Sequence, residues 1–337
     1  MFMYCAKHFI YTTLVLSILF SCQREEVQTK EAESSFIWND PSFPVAYPGP
    51  YEEADSVGFA KSVESMAHLA NGHPERILFP LSDSIKVSLV GFPVQVLPPQ
   101  EFIDFFKNRQ KTFFSIQFEA FNVRSLRSVS LEGDIFVNVG RWKHILLDGS
   151  IEERYSTFLL FVNKEGQLAS ITEWSMCWPS NSPLTLSPNP DPSHFHYFSK
   201  SRIGSREAAV RAVSVLQALF RRDSGAFQIY LADSLNYTPS CGLNTWISKV
   251  DLASRILENN PFIGVDPISV LPFYQERQNE HIVLILNYEN FIENGALHKF
   301  SYLRTFIFNE DLKIKDILVQ RRPVPNAVNW NWQDARR

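Results

Sequence analysis

The sequence predicts an α+β protein made of two similar halves, and three observations predict it. Apolar residues recur at helical spacing early in each half, as at Ala209, Val213, Leu216 and Phe220. Long alternating runs separated by turn residues follow, the pattern of an antiparallel sheet. The chain also matches itself at a nearly fixed spacing. Leu81-Ser82-Asp83-Ser84-Ile85 is answered 150 positions later by Leu231-Ala232-Asp233-Ser234-Leu235. At the same spacing Glu101-Phe102 meets Asp251-Leu252, and Val63 and Met66 meet Val213 and Leu216. Further on the spacing is 146, with Trp142 against Tyr288, Gly149 against Gly295, Phe161-Val162-Asn163 against Ile307-Phe308-Asn309, and Ile171 against Ile317. Blocks that keep their order and spacing mark an internal repeat, and the change of spacing reads as one loop deletion.

The first half opens with a helix over 59–69, followed by a short strand at 85–87. In the next helix Pro99 takes the first position, where a missing N–H costs nothing, ahead of Phe102, Phe105 and Phe106. Strands are expected over 113–123, 129–141, 155–163 and 168–174, the last pair turning at Asn163-Lys164-Glu165-Gly166. The second half repeats this with a helix over 206–220, a strand at 235–237, and a helix behind the capping box Ser248-Lys249-Val250-Asp251. Its strands fall at 281–288, 300–308 and 313–319. Asp83 and Asp233, each followed by Ser, are expected to fix their turns by accepting backbone N–H bonds.

This order, with the Ala/Ser-Asp-Ser start of the first strand, resembles the NTF2-like (SnoaL-like) superfamily over 58–176 and 204–323. The resemblance implies two tandem NTF2-like cones, each a curved antiparallel sheet packed on a long N-terminal helix, and cones that pair through their sheets. Another α+β fold, such as a cystatin-like one, is the rival. In the ketosteroid isomerases of this superfamily the general base lies a few residues after the Ala-Asp start. Carried across by spacing, it falls at Leu89 and Pro239, which take no proton, so that chemistry is not expected.

The N-terminus carries Lys7 and His8, an apolar run from 9 to 20, and Leu19-Phe20-Ser21-Cys22. The run is short of the ~20 residues that span a bilayer and has the length of a signal-peptide core. Its ending resembles the lipobox of bacterial lipoproteins, which implies cleavage before Cys22 and a lipid, such as palmitate, on that residue. Gln23-Arg24-Glu25-Glu26 resembles the surface-export signal of Bacteroidetes-type lipoproteins, implying an outer-membrane anchor with the cell surface favoured over the periplasmic face. The expected organisation is a signal peptide at 1–21, a Pro-rich tether at 22–57, domains at 58–177 and 204–323 around a linker at 178–203, and a tail at 324–337. With Cys5 and Cys22 accounted for, Cys177 and Cys241 are left as a candidate disulfide or as two buried thiols.

A net charge of −4 without a basic stripe argues against nucleic acid, and 28 Phe supply rings enough for more than one core. No catalytic motif appears. No metal ligand set or cofactor is expected either. His194-Phe195-His196 sits in a Pro-punctuated loop, and Trp330 and Trp332 in the tail are read as cover for an apolar gap before a sugar platform. The weak candidates for a cone-mouth ligand site are His68, Trp142, His144, Tyr288 and His298. Glu152, Glu153, Glu289 and Glu293 read as charges at strand ends. The sequence therefore points to a membrane-anchored exported lipoprotein. It is read as non-catalytic, binding a small molecule or glycan, or an envelope protein partner, through its cones. A cone-pocket hydrolase, lyase or isomerase, and a structural subunit of an envelope complex, are the alternatives.

Overall fold

The computed structural model describes residues 49–54, 56–111, 113–176, 201–240, 244–258, 262–276, 278–293 and 296–323. Cys22, Cys177, Cys241, the linker histidines and the tail tryptophans lie outside them. In the first half, β1 (Tyr51–Glu53) and α1 (Ser56–Ala70) precede β2 (Leu81–Ser88), β3 (Gln95–Leu97) and α2 (Pro99–Gln110). The long strands β4 (Ser115–Ser128), β5 (Gly133–Ile145), β6 (Ile151–Asn163) and β7 (Leu168–Ser175) follow. The second half runs β8 (Ser201–Ile203), α3 (Arg206–Arg221), α4 (Ser224–Ile229), β9 (Leu231–Thr238), β10 (Thr245–Ser248) and α5 (Lys249–Glu258). It ends in β11 (Phe262–Gln275), β12 (Glu280–Glu293), β13 (Ala296–Phe308) and β14 (Ile314–Pro323). The architecture is α+β.

Each helix has a local cause. Pro99 opens α2 as expected, with Arg109 and Lys107 in its last turn. Ser205 caps α3 by accepting from the Ala208 amide at 3.1 Å, and Arg222 closes it in the left-handed conformation. The Ser248 hydroxyl accepts from the Asp251 amide, as one half of the expected capping box requires, while the Asp251 carboxylate accepts from the Ser248 hydroxyl. β11 has no counterpart among the strands that residue patterning predicts for the second half, because Pro267 and Pro272 break its alternation. It is nonetheless a long strand, and one of its register shifts falls between Pro267 and Ser269.

Strand pairing follows the same order in both halves. In the first it runs β3-β2-β7-β6-β5-β4, with β2 parallel to β7; in the second, β10-β9-β14-β13-β12-β11, with β9 parallel to β14. The registers refine the repeat read from sequence. Trp142 pairs with Arg154, and Glu289 pairs with Phe300. Anchored on the matching strands β6 and β13, Trp142 therefore corresponds to Glu289, not to Tyr288. The bulges agree, one between Ala120 and Asn122 and the other between Pro267 and Ser269, each residue 147 positions from its counterpart. The spacing change is thus split between the loop before the long strands and the tighter β12–β13 turn. A slip of one residue moves a side chain to the other face of the sheet, so the correction matters for the site.

The two faces of the long strands bury different things. On one face of β5, Phe136 and Trp142 join Met66, Phe102, Phe106 and Phe158 in a core under α1 and α2. On the other, Ile135 and Val137 pack with Leu126, Leu271, Phe273, Ile282, Leu284 and Leu303 in a core shared by both halves. Buried bonds cross this seam from the Tyr51 hydroxyl to the Val270 carbonyl, from Thr157 to Gln320, and from the Trp174 indole N–H to Ser301. The sheets also touch edgewise where Ser175 meets Arg321. In these strands one sheet face of each half is covered by the other half. Asp233 also departs from expectation: it is exposed and accepts from the Lys249 ammonium at 2.7 Å instead of capping a backbone turn.

Candidate functional site

On the inner face of the second half, α3, β9, β12, β13 and β14 surround a cavity of about 140 Å³. Period-two alternation aims Tyr302, Arg304 and Phe306 of β13 at one side of the sheet, while Leu303 faces the seam. Glu289 of β12 lines the cavity with Tyr237, Pro239, Ser240, Ile317 and Val319. Val215, Leu216 and Leu219 of α3 and Phe227 of α4 supply an apolar wall. Helix α3 is buried on most of its circumference, Ala208, Ala212 and Ala218 included, because it lies between the sheet and α4.

The polar floor is a closed network with one open end. Arg304 Nη1 donates to Glu289 Oε1 in an ion pair, and also to Asn287 Oδ1 at 2.8 Å. Asn287 Nδ2 donates to Glu289 Oε1 at 2.8 Å. Glu289 and Arg304 are 1 % and 7 % exposed, so their attraction is little screened. Among the described residues Glu289 Oε2 has no hydrogen-bond partner. Burial works against the Arg304 charge, but the Glu289 carboxylate overrides it, and the guanidinium is held above its ordinary pKa. Burial, with Glu289 nearby, pushes the Tyr302 hydroxyl well above its usual range; Tyr237 is raised chiefly by burial as well. Both phenols therefore stay protonated at neutral pH and can serve as donors. The Arg304 guanidinium lies 4.7 Å from the centre of the Tyr302 ring.

The first half carries different groups at these positions. At the positions of Glu289 and Arg304 it carries Trp142 and Phe158, whose rings meet edge to face at 5.3 Å. Phe118 packs against both, and the Arg109 guanidinium lies 5.0 Å from the Trp142 ring centre. His144, expected at the cone mouth, is buried there and stacked on Phe113 at 4.6 Å. Polar links remain inside: Ser62 of α1 and Asn138 of β5 exchange hydrogen bonds, and the buried Glu173 of β7, beside Phe158, accepts from the Ser156 hydroxyl at 2.9 Å and the Val90 amide at 3.1 Å.

None of the five weak ligand-site candidates lines the cavity. His68 sits 3.6 Å from Glu64 on the surface of α1, an ordinary i,i+4 pair. Trp142 and His144 belong to the packed interior of the first half. Tyr288 is on the opposite face of β12 from Glu289, with the Lys299 ammonium 4.8 Å from its ring centre, and His298 is half-buried on β13. The two spacing-derived base positions separate: Leu89 is buried core, whereas Pro239 does line the cavity. Sequence reasoning places Glu289 among strand-end charges and passes over Tyr237, Tyr302 and Arg304. The signal that could have found them is Asn287 and Glu289, then Tyr302 and Arg304, polar at alternate positions whose flanking positions in the same alternation are apolar, Ile285 and Phe291 on one strand and Phe300 and Phe306 on the other. No cluster of metal-ligand type occurs among the described residues, and no helix among them is long and apolar enough to cross a membrane.

No protein-family model matches the chain, and no curated protein matches it. Several solved structures are similar over part of it. AusH from Aspergillus nidulans is 16 % identical over 36 % of this chain and 86 % of its own, with a TM-score of 0.30. An NTF2-like protein of unknown function from Cytophaga hutchinsonii is 15 % identical over 35 % of this chain and 98 % of its own, at 0.27. A steroid delta-isomerase from Pseudomonas aeruginosa is 15 % identical over 36 % and 82 %, at 0.28. At such scores these likenesses say nothing of activity.

Proposed function

We propose that the chain is an exported lipoprotein, anchored through Cys22, in which two NTF2-like cones divide the work. The second cone binds a small molecule; the first is a filled copy that holds the shared seam. The observation that carries this reading is the exchange of Trp142 and Phe158 for Glu289 and Arg304 at matching positions, an apolar plug against a hydrogen-bonding floor under a cavity. Ligand sites combine apolar walls with a few fixed polar groups, and the second half has both. A screen of small fragments by ligand-observed NMR tests it. Hits are expected for the parent chain and are lost when Leu219→Trp fills the cavity; no hits, or hits indifferent to that substitution, would sink the reading. The anchor is tested separately by labelling cells with an alkynyl fatty acid, which marks the parent chain and leaves Cys22→Ser unmarked.

A cone-pocket enzyme is the second reading, and one observation favours it. Among the described residues Glu289 Oε2 has no hydrogen-bond partner, and it borders the cavity where it could accept a proton from a bound molecule. Turnover of a bound fragment that disappears in Glu289→Gln while binding persists would move the protein into that class.

A further inference from the structure

We infer that the second-half cavity selects a neutral, single-ring molecule bearing a hydroxyl, the phenol class of ligand. This rests on the reading of that cavity as a binding site. Size sets the first limit: an apolar cavity of ~150 Å³ holds one benzene, and this one measures about 140 Å³. One ring with one or two further heavy atoms is held within it, whereas a glycan unit would extend out of its mouth and bring more hydroxyls than the walls can satisfy. Leu216, Leu219, Phe227 and Phe306 offer the ring dispersion contacts and nothing polar.

Charge sets the second limit. Glu289 and Arg304 neutralise each other at the floor, and Arg304 Nη1 is committed to Glu289 and Asn287. An anionic ligand would be desolvated beside the Glu289 carboxylate, a cationic one beside the guanidinium, and burial makes either costly. A neutral hydroxyl avoids both. Its O–H donates to Glu289 Oε2, an acceptor without a partner among the described residues, and its oxygen accepts from Tyr237 or Tyr302. A buried carboxylate oxygen that gains a donor recovers the hydrogen bond lost on folding, so the hydroxyl adds affinity beyond that of the ring.

The test measures phenol, benzene, benzoate and benzylamine by calorimetry or ligand-observed NMR on the whole chain from residue 22, carrying Cys22→Ser. Phenol is expected to bind about tenfold or more tighter than benzene, benzoate or benzylamine. In Glu289→Met/Arg304→Met, which avoids stranding one charge, the affinity for phenol is expected to fall most of the way to that for benzene, the remainder being the hydrogen bond from the tyrosine. Equal binding of phenol and benzene by the parent overturns the hydroxyl assignment and leaves the cavity a site. Tighter binding of benzoate or benzylamine overturns the neutral assignment. Failure of all four probes, with benzene among them, refutes the binding reading itself.

Discussion

Replacing Arg304 with methionine strands the Glu289 carboxylate in a site where it is 1 % exposed. Breaking a buried ion pair from one side costs about 3–5 kcal/mol, because the remaining charge stays desolvated without its partner. For a chain of this size about 2 °C is lost per kcal/mol, so the melting temperature is expected to fall by about 6–10 °C. The paired change Glu289→Met/Arg304→Met removes the stranded charge and leaves apolar atoms in its place. It also takes away the acceptor of the Asn287 amide and the donor to its oxygen, a penalty of about 1–3 kcal/mol. Net, the double variant should regain about half of the loss, and the first half shows that an apolar pair fits these positions, since Trp142 and Phe158 already occupy them. Circular-dichroism melts at pH 7 of the parent, the two single variants and the double variant decide the matter. A double variant that melts as low as the worse single variant refutes the argument that desolvated charge, not lost packing, sets the cost.

The remaining predictions concern pH and the seam. Tyr302 and Tyr237 are raised in the folded state, so the folded protein holds their protons more tightly than the unfolded chain; the stability they contribute is complete below pH ~10 and is lost as pH rises from there through their folded values. Tyrosinate absorbance near 295 nm should therefore show a late-titrating class that appears together with unfolding, and a single class titrating near pH 10 would contradict it. Burial raises Asp316, which partners Asn236 across β14 and β9, so its charge at neutral pH costs stability that protonation restores as pH falls. Asp316→Asn should raise the melting temperature at pH 7 and lose that advantage below pH 4. Phe273→Ala, at the centre of the shared core, should cost about 3–5 kcal/mol and keep the unfolding of both halves in one transition; two separated transitions in calorimetry of the parent would show that the seam does not couple them.

Much of the fold could be read from residue order. The helical face of α3, Pro99 at the start of α2, the Ser248 cap at α5 and the Asn-led hairpin turns act within a few residues, so composition and spacing determine them. The repeat was legible for the same reason, since copied segments keep their local patterns. β11 was not, because its prolines obey local rules that pairing along β12 overrides. The site was not either. Whether Glu289 or Tyr288 answers to Trp142 depends on a single residue of register, fixed by the partner strand and the length of one turn. That register decides which face of the sheet each side chain takes, and so whether it meets the seam or the cavity. Short-range residue order accounts for most of the elements; pairing across strands places Trp142 and Phe158 in the first half where the second places Glu289 and Arg304, because burial is a property of faces and faces are assigned across strands.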